Sequence, residues 1–501
     1  MRVLVIGAGL AGLAAAEQLL EAGCEVVVID AFPRPGGRVA NFDVQTEVAG
    51  LVPGDVVEHG LHAWFQHYVA LFGLMQRAGV PKPPFAGRGV HLWSPHAAHT
   101  EIPGGPGVWL LNALNLPRAQ RGSRRHALAA FGRLIAYLDD ALAHPEHSDR
   151  ESAAALFERM DVPQEAIRTV FAPCLYSLTS LQLTSLSALE MLRWMAAILP
   201  DPRIRCLQGG GSTNMCEPIA RYLQTRGADI RLGVEAQRLR MGDDGRVRVE
   251  LEKAPDRTGL RHVLVPNFAP AEPPDVGAID AIVSALPWER LVALCADDPR
   301  LSSVPAIARA RELRNVHPLT IRLWMERPVS HALERYILTS GALFDVMRPT
   351  PEPERYPGIR LFDALVEDVA LHLPEIRYER EQYIGPGPLQ TTIVQRVLAD
   401  LERMYPGEFR DNRVLRSFLH TREGIIACKP GVWEQRAPQH IGLGNLVLAG
   451  DWTQQGWGVC MEGAVRSGQL AARALLEGPQ HQVRPGTYTH LLRSFRTLVT
   501  G

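Results

Sequence analysis

This chain has no excess of charge of either sign. Its 53 Lys and Arg are balanced by 54 Asp and Glu, for a formal net charge of −1. A nucleic-acid binder needs a basic face, and that electrostatic footprint is missing. Cysteine is scarce too. There are seven in 501 residues, at 24, 174, 206, 216, 295, 428 and 460, with no CxxC pair. That excludes a disulfide framework and the common zinc spacings, so no metal is expected, and it fits a reduced cytoplasmic chain. Nor is there a long apolar run. The most apolar long stretch, Tyr176 to Leu199, carries Glu190, Arg193 and many Ser and Thr. It reads as a buried helix or helix pair, not a membrane span. A strand is expected from Arg2, so no leader peptide is expected before it. Internal repeats and low-complexity tracts are absent from the sequence.

What is present begins at the first residue. The chain is 46% hydrophobic, enough for a large core and two or more domains. It opens MRVLVIGAGLAGLAAAEQLLEAGCEVVVID: a strand, a glycine turn, an alanine-rich helix and a second strand ending on Asp30. Gly7 makes the turn, Gly9 admits a pyrophosphate close to the backbone, and Gly12 lets helix and strand approach. Phosphates would then sit at the positive end of the helix dipole, beside Leu10 and Ala11. Asp30 is placed to hold a ribose hydroxyl, and its charge disfavours a 2′-phosphate and so NADP. Glycine turns alone are common, but here a strand precedes, a helix follows and an acid closes the unit. The fingerprint leaves NAD and FAD both open.

Two more segments bear on that choice. After Asp30, Ala31 and Phe32 comes PRPGGRV, in which Gly36, Gly37 and Arg38 put pliable backbone and a cation beside the same phosphates. By itself it also reads as an ordinary basic turn. Far along the chain, NLVLAGDWTQQGWGVCMEGAVRSGQLAARALL pairs a β-run ending at Gly450-Asp451 with a helix starting near Met461. A strand, an acid at its end and a helix N-terminus make a half-site for a polar cofactor. By itself this is equally one more βα unit of a core.

Together the three segments resemble the FAD-binding elements of the flavin amine oxidase and carotenoid desaturase superfamily. RYLQTRGADIRLGVEAQRL and DAIVSALP are similar to the family's return to the FAD domain, and bring in Ala236 and Ala285. EHGLHAWFQHY, TNMCEPIARYL and GDWT…MEGAVRSG narrow the resemblance to plant- and cyanobacterial-type phytoene and ζ-carotene desaturases and hydroxysqualene dehydroxylases. The resemblance implies FAD as cofactor. It puts the backbone at Ala236 near the adenine and Asp451 near the ribityl or pyrophosphate. It puts Met461, Glu462 and Ala464 near the flavin ring, although Glu462 at a helix N-terminus also reads as a plain stabilising anion.

The expected fold is α/β. A Rossmann-like FAD-binding domain, with a parallel sheet and GxGxxG, is expected from residues 1–60, 205–300 and 415–478. It is interleaved with a substrate-side and helical insert (61–204) and a mixed α+β substrate domain (301–414), and a tail (479–501) follows. The chain is expected to be an FAD-dependent oxidoreductase that moves a hydride from an apolar isoprenoid to flavin N5. Glu58 and His62 are the acid–base candidates, with His62 in the family's G-L-H and core packing the bland alternative. Trp64, Phe65, Tyr68, Trp452 and Trp457 are candidate substrate walls. Quinone or oxygen is the expected electron acceptor, and peripheral contact with a membrane stays open. The alternatives are an amine oxidase and a flavoprotein without turnover. Many amine oxidases carry a lysine near N5, but HPLTIRLWM (317–325), the comparable strand, has none.

Overall fold

The computed structural model describes residues 1–44, 47, 50–58, 60, 62–96, 98–104, 121–198, 201–207, 210–254, 276–329, 337–350, 360–366, 369–376, 382–421 and 424–478. His59, residues 351–359 and the 479–501 tail lie outside the described residues.

The opening strand, Arg2–Ile6, is apolar and buried along nearly its whole length. A run of that kind needs cover on both faces, and a parallel sheet with helices on each side supplies it. Five parallel strands line up in the order Leu446–Leu448, Ala281–Ser284, Arg2–Ile6, Glu25–Asp30, Asp229–Leu232. The order reverses beside the first strand, which creates a switch point where a crevice opens outside the carboxyl ends. The fold is therefore α/β and Rossmann-like.

Two helices cross under that crevice with their backbones almost touching. Helix Leu10–Glu21 contributes Ala14, Ala15 and Ala16, and helix Met461–Glu477 contributes Gly468, Ala471 and Ala472. A Cβ on Gly468 would lie 2.0 Å from the Ala11 carbonyl oxygen. Only small residues allow this crossing, and it brings both helix N-termini to the same end of the sheet.

A second sheet has seven strands, in the order Val414–Thr421, Leu319–Met325, Arg360–Val366, Val346–Thr350, Ile337–Thr339, Gly89–Ser94, Ala98–Pro103. Leu319, Ile321, Leu323 and Met325 face a core completed by helix Pro388–Met404, whereas Thr320, Arg322 and Trp324 take the opposite face. Helices including Arg121–Ala143, Ala172–Thr179 and Ala188–Ile198 form the insert, so the described part of the apolar stretch, 176–198, contains parts of two helices.

Two expected boundaries move. Val414–Thr421 pairs along Leu319–Met325, so this stretch belongs to the second sheet rather than to the cofactor domain. Gly89–Pro103, grouped above with the insert, supplies two strands of the same sheet. Strand partners so far apart in sequence leave no local mark. All seven cysteines are free thiols. Among the described residues no helix is long and apolar enough to cross a membrane.

Candidate active site

A cleft of about 1200 Å³, counting its open mouth, runs across the carboxyl ends of the parallel strands. Its wall joins Gly7, Gly9, Leu10, Ala11, Asp30, Ala31, Gly36, Gly37 and Arg38 to Ala236, Ala285, Gly450, Asp451, Trp452, Met461 and Ala464. Segments from three distant parts of the chain thus share one cavity.

The turn is built for a close guest. A Cβ on Gly9 would meet only the Gly36 carbonyl oxygen, at 4.0 Å, so its free side opens into the cleft. Gly12 is different: a Cβ there would lie 1.8 Å from the Gly7 oxygen. Gly12 packs the helix onto the strand and is not on the cleft wall. Gly7 has φ +110, a conformation open to glycine and few others. No side chain caps the helix at Gly9, and none caps the last helix at Cys460. Both helix ends therefore keep N–H donors and positive dipole ends for an anion. A dinucleotide carrying a pyrophosphate fits this donor set.

Asp30 has a structural task as well. Its Oδ2 accepts the Ala8 N–H at 2.7 Å and its Oδ1 the Phe32 N–H at 2.8 Å. The carboxylate thereby braces the glycine turn. Arg38 and Asp451 form an ion pair linking the two half-sites. Behind the Gly36-Gly37 doublet, Ser212 donates to the Pro35 carbonyl at 2.7 Å, and Asn41 Oδ1 accepts the N–H groups of Ser212 and Thr213. The STNMCEP segment thus backs the Gly36-Gly37 turn.

Several of the expected site residues stand off this cleft. Glu462 is buried away from the cleft: its carboxylate accepts the Ala70 and Leu71 N–H groups at 3.0 and 2.9 Å and pairs with Arg466 at 2.7 Å. It ties the start of helix Val69–Arg77 to the closing helix, and burial raises its pKa. Trp64, Phe65, Tyr68 and Trp457 pack in the core and do not line this cleft; Phe65 stacks edge-on with Trp194 and Tyr68, and Trp457 lies under Arg466. Of the five aromatic candidates only Trp452 lines the cleft, held by its indole N–H to the Leu286 carbonyl at 3.0 Å. Glu58 and His62 also stand off the wall. His62 donates from Nε2 to the Arg38 carbonyl at 3.0 Å, and Glu58 is buried on a short strand paired with Asn41.

Among the wall residues that sequence reasoning did not name, three carry titratable side chains. Glu235 and Arg290 form an ion pair there, and Cys460 sits at the start of the closing helix. Burial pushes the Cys460 thiol up to about 12, so it stays protonated near neutrality. Glu235 neighbours Ala236 in a quoted segment, but nothing local marks Arg290.

Comparison with known proteins decides the family. The profile of the flavin containing amine oxidoreductases matches residues 10–476. The chain belongs to that family. It is an FAD-dependent oxidoreductase of desaturase-like sequence. A 15-cis-phytoene desaturase of Synechococcus elongatus is 24% identical over 496 residues, covering 95% of this chain and 96% of the relative. A protein named "probable zeta-carotene desaturase" from the same organism is 25% identical over 525 residues, covering 95% and 99%. Among solved structures, cyclohexylamine oxidase from Brevibacterium oxydans superposes with TM-score 0.64 at 16% identity, covering 95% of this chain and 98% of the other. That last likeness speaks to the fold.

Proposed function

We propose that this flavoenzyme oxidises an apolar isoprenoid, of carotene or squalene type, and that FAD lies along the cleft. The observation that carries the substrate reading is the end-to-end likeness to phytoene and zeta-carotene desaturases, over 95% of this chain. When bound, the flavin supplies the hydride acceptor.

The chain's own residues then have these roles. Gly7 and Gly9, with the N–H groups at Leu10 and Ala11, cradle the pyrophosphate, and Arg38 adds positive charge there while Asp451 orients it. Asp30 holds the ribose and the backbone at Ala236 faces the adenine, with Ala31 and Ala285 as walls. Met461 and Ala464 present the N-terminus of the closing helix to the edge of the ring where negative charge grows on reduction. His62, bonded to the Arg38 carbonyl, orients that residue. The substrate is held by apolar burial, at roughly 25 cal/mol per Å², and needs no ionic anchor. It arrives from a membrane surface, and a quinone or oxygen takes the electrons.

The purified protein should be yellow and release FAD on heating. Anaerobic mixing with squalene- or carotene-type compounds in detergent should bleach the flavin, and common amines should not. Rapid bleaching by an amine, with none by any isoprenoid, would sink the proposal.

A further inference from the structure

Behind the loop that closes the second half-site, the structure buries four charges that are no part of the cleft wall. Glu190 and Arg193 lie on helix Ala188–Ile198, Asp149 follows helix Pro145–Ser148, and Arg436 follows helix Val432–Gln435. Their exposures are 2%, 3%, 1% and 0%. Burial this deep leaves no solvent to screen them, so the charges must balance among themselves.

They do balance. Glu190 Oε2 lies 3.6 Å from Arg193 Nη1 and 3.6 Å from Arg436 Nη2. Asp149 accepts from the Ser187 hydroxyl at 2.6 Å and the Trp433 N–H at 2.7 Å. The Arg193 guanidinium sits 4.3 Å from the centre of the Trp433 ring, and Arg436 Nη2 donates to Cys428 Sγ at 3.0 Å. Two cations face two carboxylates.

One member reaches out of the network. Glu190 Oε1 accepts the Val459 N–H at 2.8 Å. Val459 leads directly into Cys460 and Met461, which are on the cleft wall. The same oxygen would lie 3.3 Å from a Cβ on Gly458, so the loop backbone passes close over the carboxylate. The charge of Glu190 also acts on the wall itself, as one cause of the raised Cys460 thiol.

We infer that Glu190 is a positioning residue for the flavin. Its bond to Val459 sets the loop that carries the start of the closing helix, and its charge, together with that of Asp149, offsets the two arginines behind that loop. The inference rests on the proposed reading that the flavin ring lies at this helix N-terminus. Reduction of the ring adds negative charge there, and in a dry site an uncancelled cation nearby favours it. Glu190 therefore keeps the reduction potential lower than the two arginines would set it.

The test uses the full chain loaded with FAD and reads the midpoint potential by spectroscopic titration against a reference dye. Glu190→Gln is close to isosteric and keeps an oxygen for Val459, but leaves one positive charge unbalanced. Its potential should move in the positive direction. Arg193→Gln leaves one negative charge unbalanced, and its potential should move in the negative direction. Should one variant fail to fold, the sign of the other's shift decides. A purely structural Glu190 would leave the potential of every folded variant at the parent value, and that result overturns the inference. A parent chain that binds no FAD overturns the cofactor reading instead, so the two failures are distinguishable.

Discussion

Replacing Asp30 with Asn separates the two tasks that the structure and the cofactor reading give to one carboxylate. Its two oxygens accept different backbone donors, Ala8 N–H at 2.7 Å and Phe32 N–H at 2.8 Å. An Asn side chain offers one oxygen and one NH₂, so one of those donors would face another donor. A hydrogen bond to a charged group contributes about 1.5–3 kcal/mol, and Asp30 is half-buried, so flavin-free Asp30→Asn should lose about 1.5 kcal/mol. If the carboxylate also holds the ribose, FAD affinity should fall separately, by a further ~1.5–3 kcal/mol or roughly 10–100-fold in Kd. Urea unfolding of the flavin-free protein measures the first effect, and quenching of flavin fluorescence measures the second. Unchanged flavin-free stability would refute the brace on the turn. Unchanged affinity would refute the ribose contact.

Four other outcomes follow from particular contacts. Gly9→Ala, whose Cβ faces open space in the flavin-free protein, should leave unfolding unchanged but weaken FAD binding by roughly 5–150-fold, the cost of about 1–3 kcal/mol of crowding; equal loss in both assays would show that Gly9 is only a packing glycine. Gly12→Ala should do the reverse and destabilise the flavin-free fold, because its Cβ would press on the Gly7 oxygen; normal denaturant stability would contradict this. Glu462→Ala strands two N–H groups and Arg466, and should cost about 3–5 kcal/mol in chemical denaturation; a loss under about 1 kcal/mol would mean that helix Val69–Arg77 is held by other contacts. Burial lowers the pKa of His67 below 6.5 against an opposing attraction from Asp201, so the unfolded chain takes up its proton first as pH falls. Stability should thus drop as pH falls through 6.5, and His67→Asn should flatten that drop in melts at a series of pH values; parallel curves for parent and variant would remove His67 as the cause.

Features whose signals act over a few neighbouring residues are legible in the chain without its fold. The run from Arg2 to Asp30 specifies strand, turn, helix and strand, because the apolar periods and glycine spacing act within a few residues of one another. The Gly450–Ala464 segment and the helix from Met461 are legible for the same reason. Their meeting in one cleft came through resemblance, since no spacing rule joins residues 9 and 461. Tertiary structure decided the rest. It placed Val414–Thr421 in the second sheet, because strand pairing is chosen by partners distant in sequence. It turned Glu462 toward the N–H groups of Ala70 and Leu71, and carried Trp64, Phe65, Tyr68 and Trp457 into the core. A motif names the residue, but the direction of its side chain is set by whatever packs behind it. A buried carboxylate goes where donors are free, and a large aromatic ring goes where it removes the most surface from water.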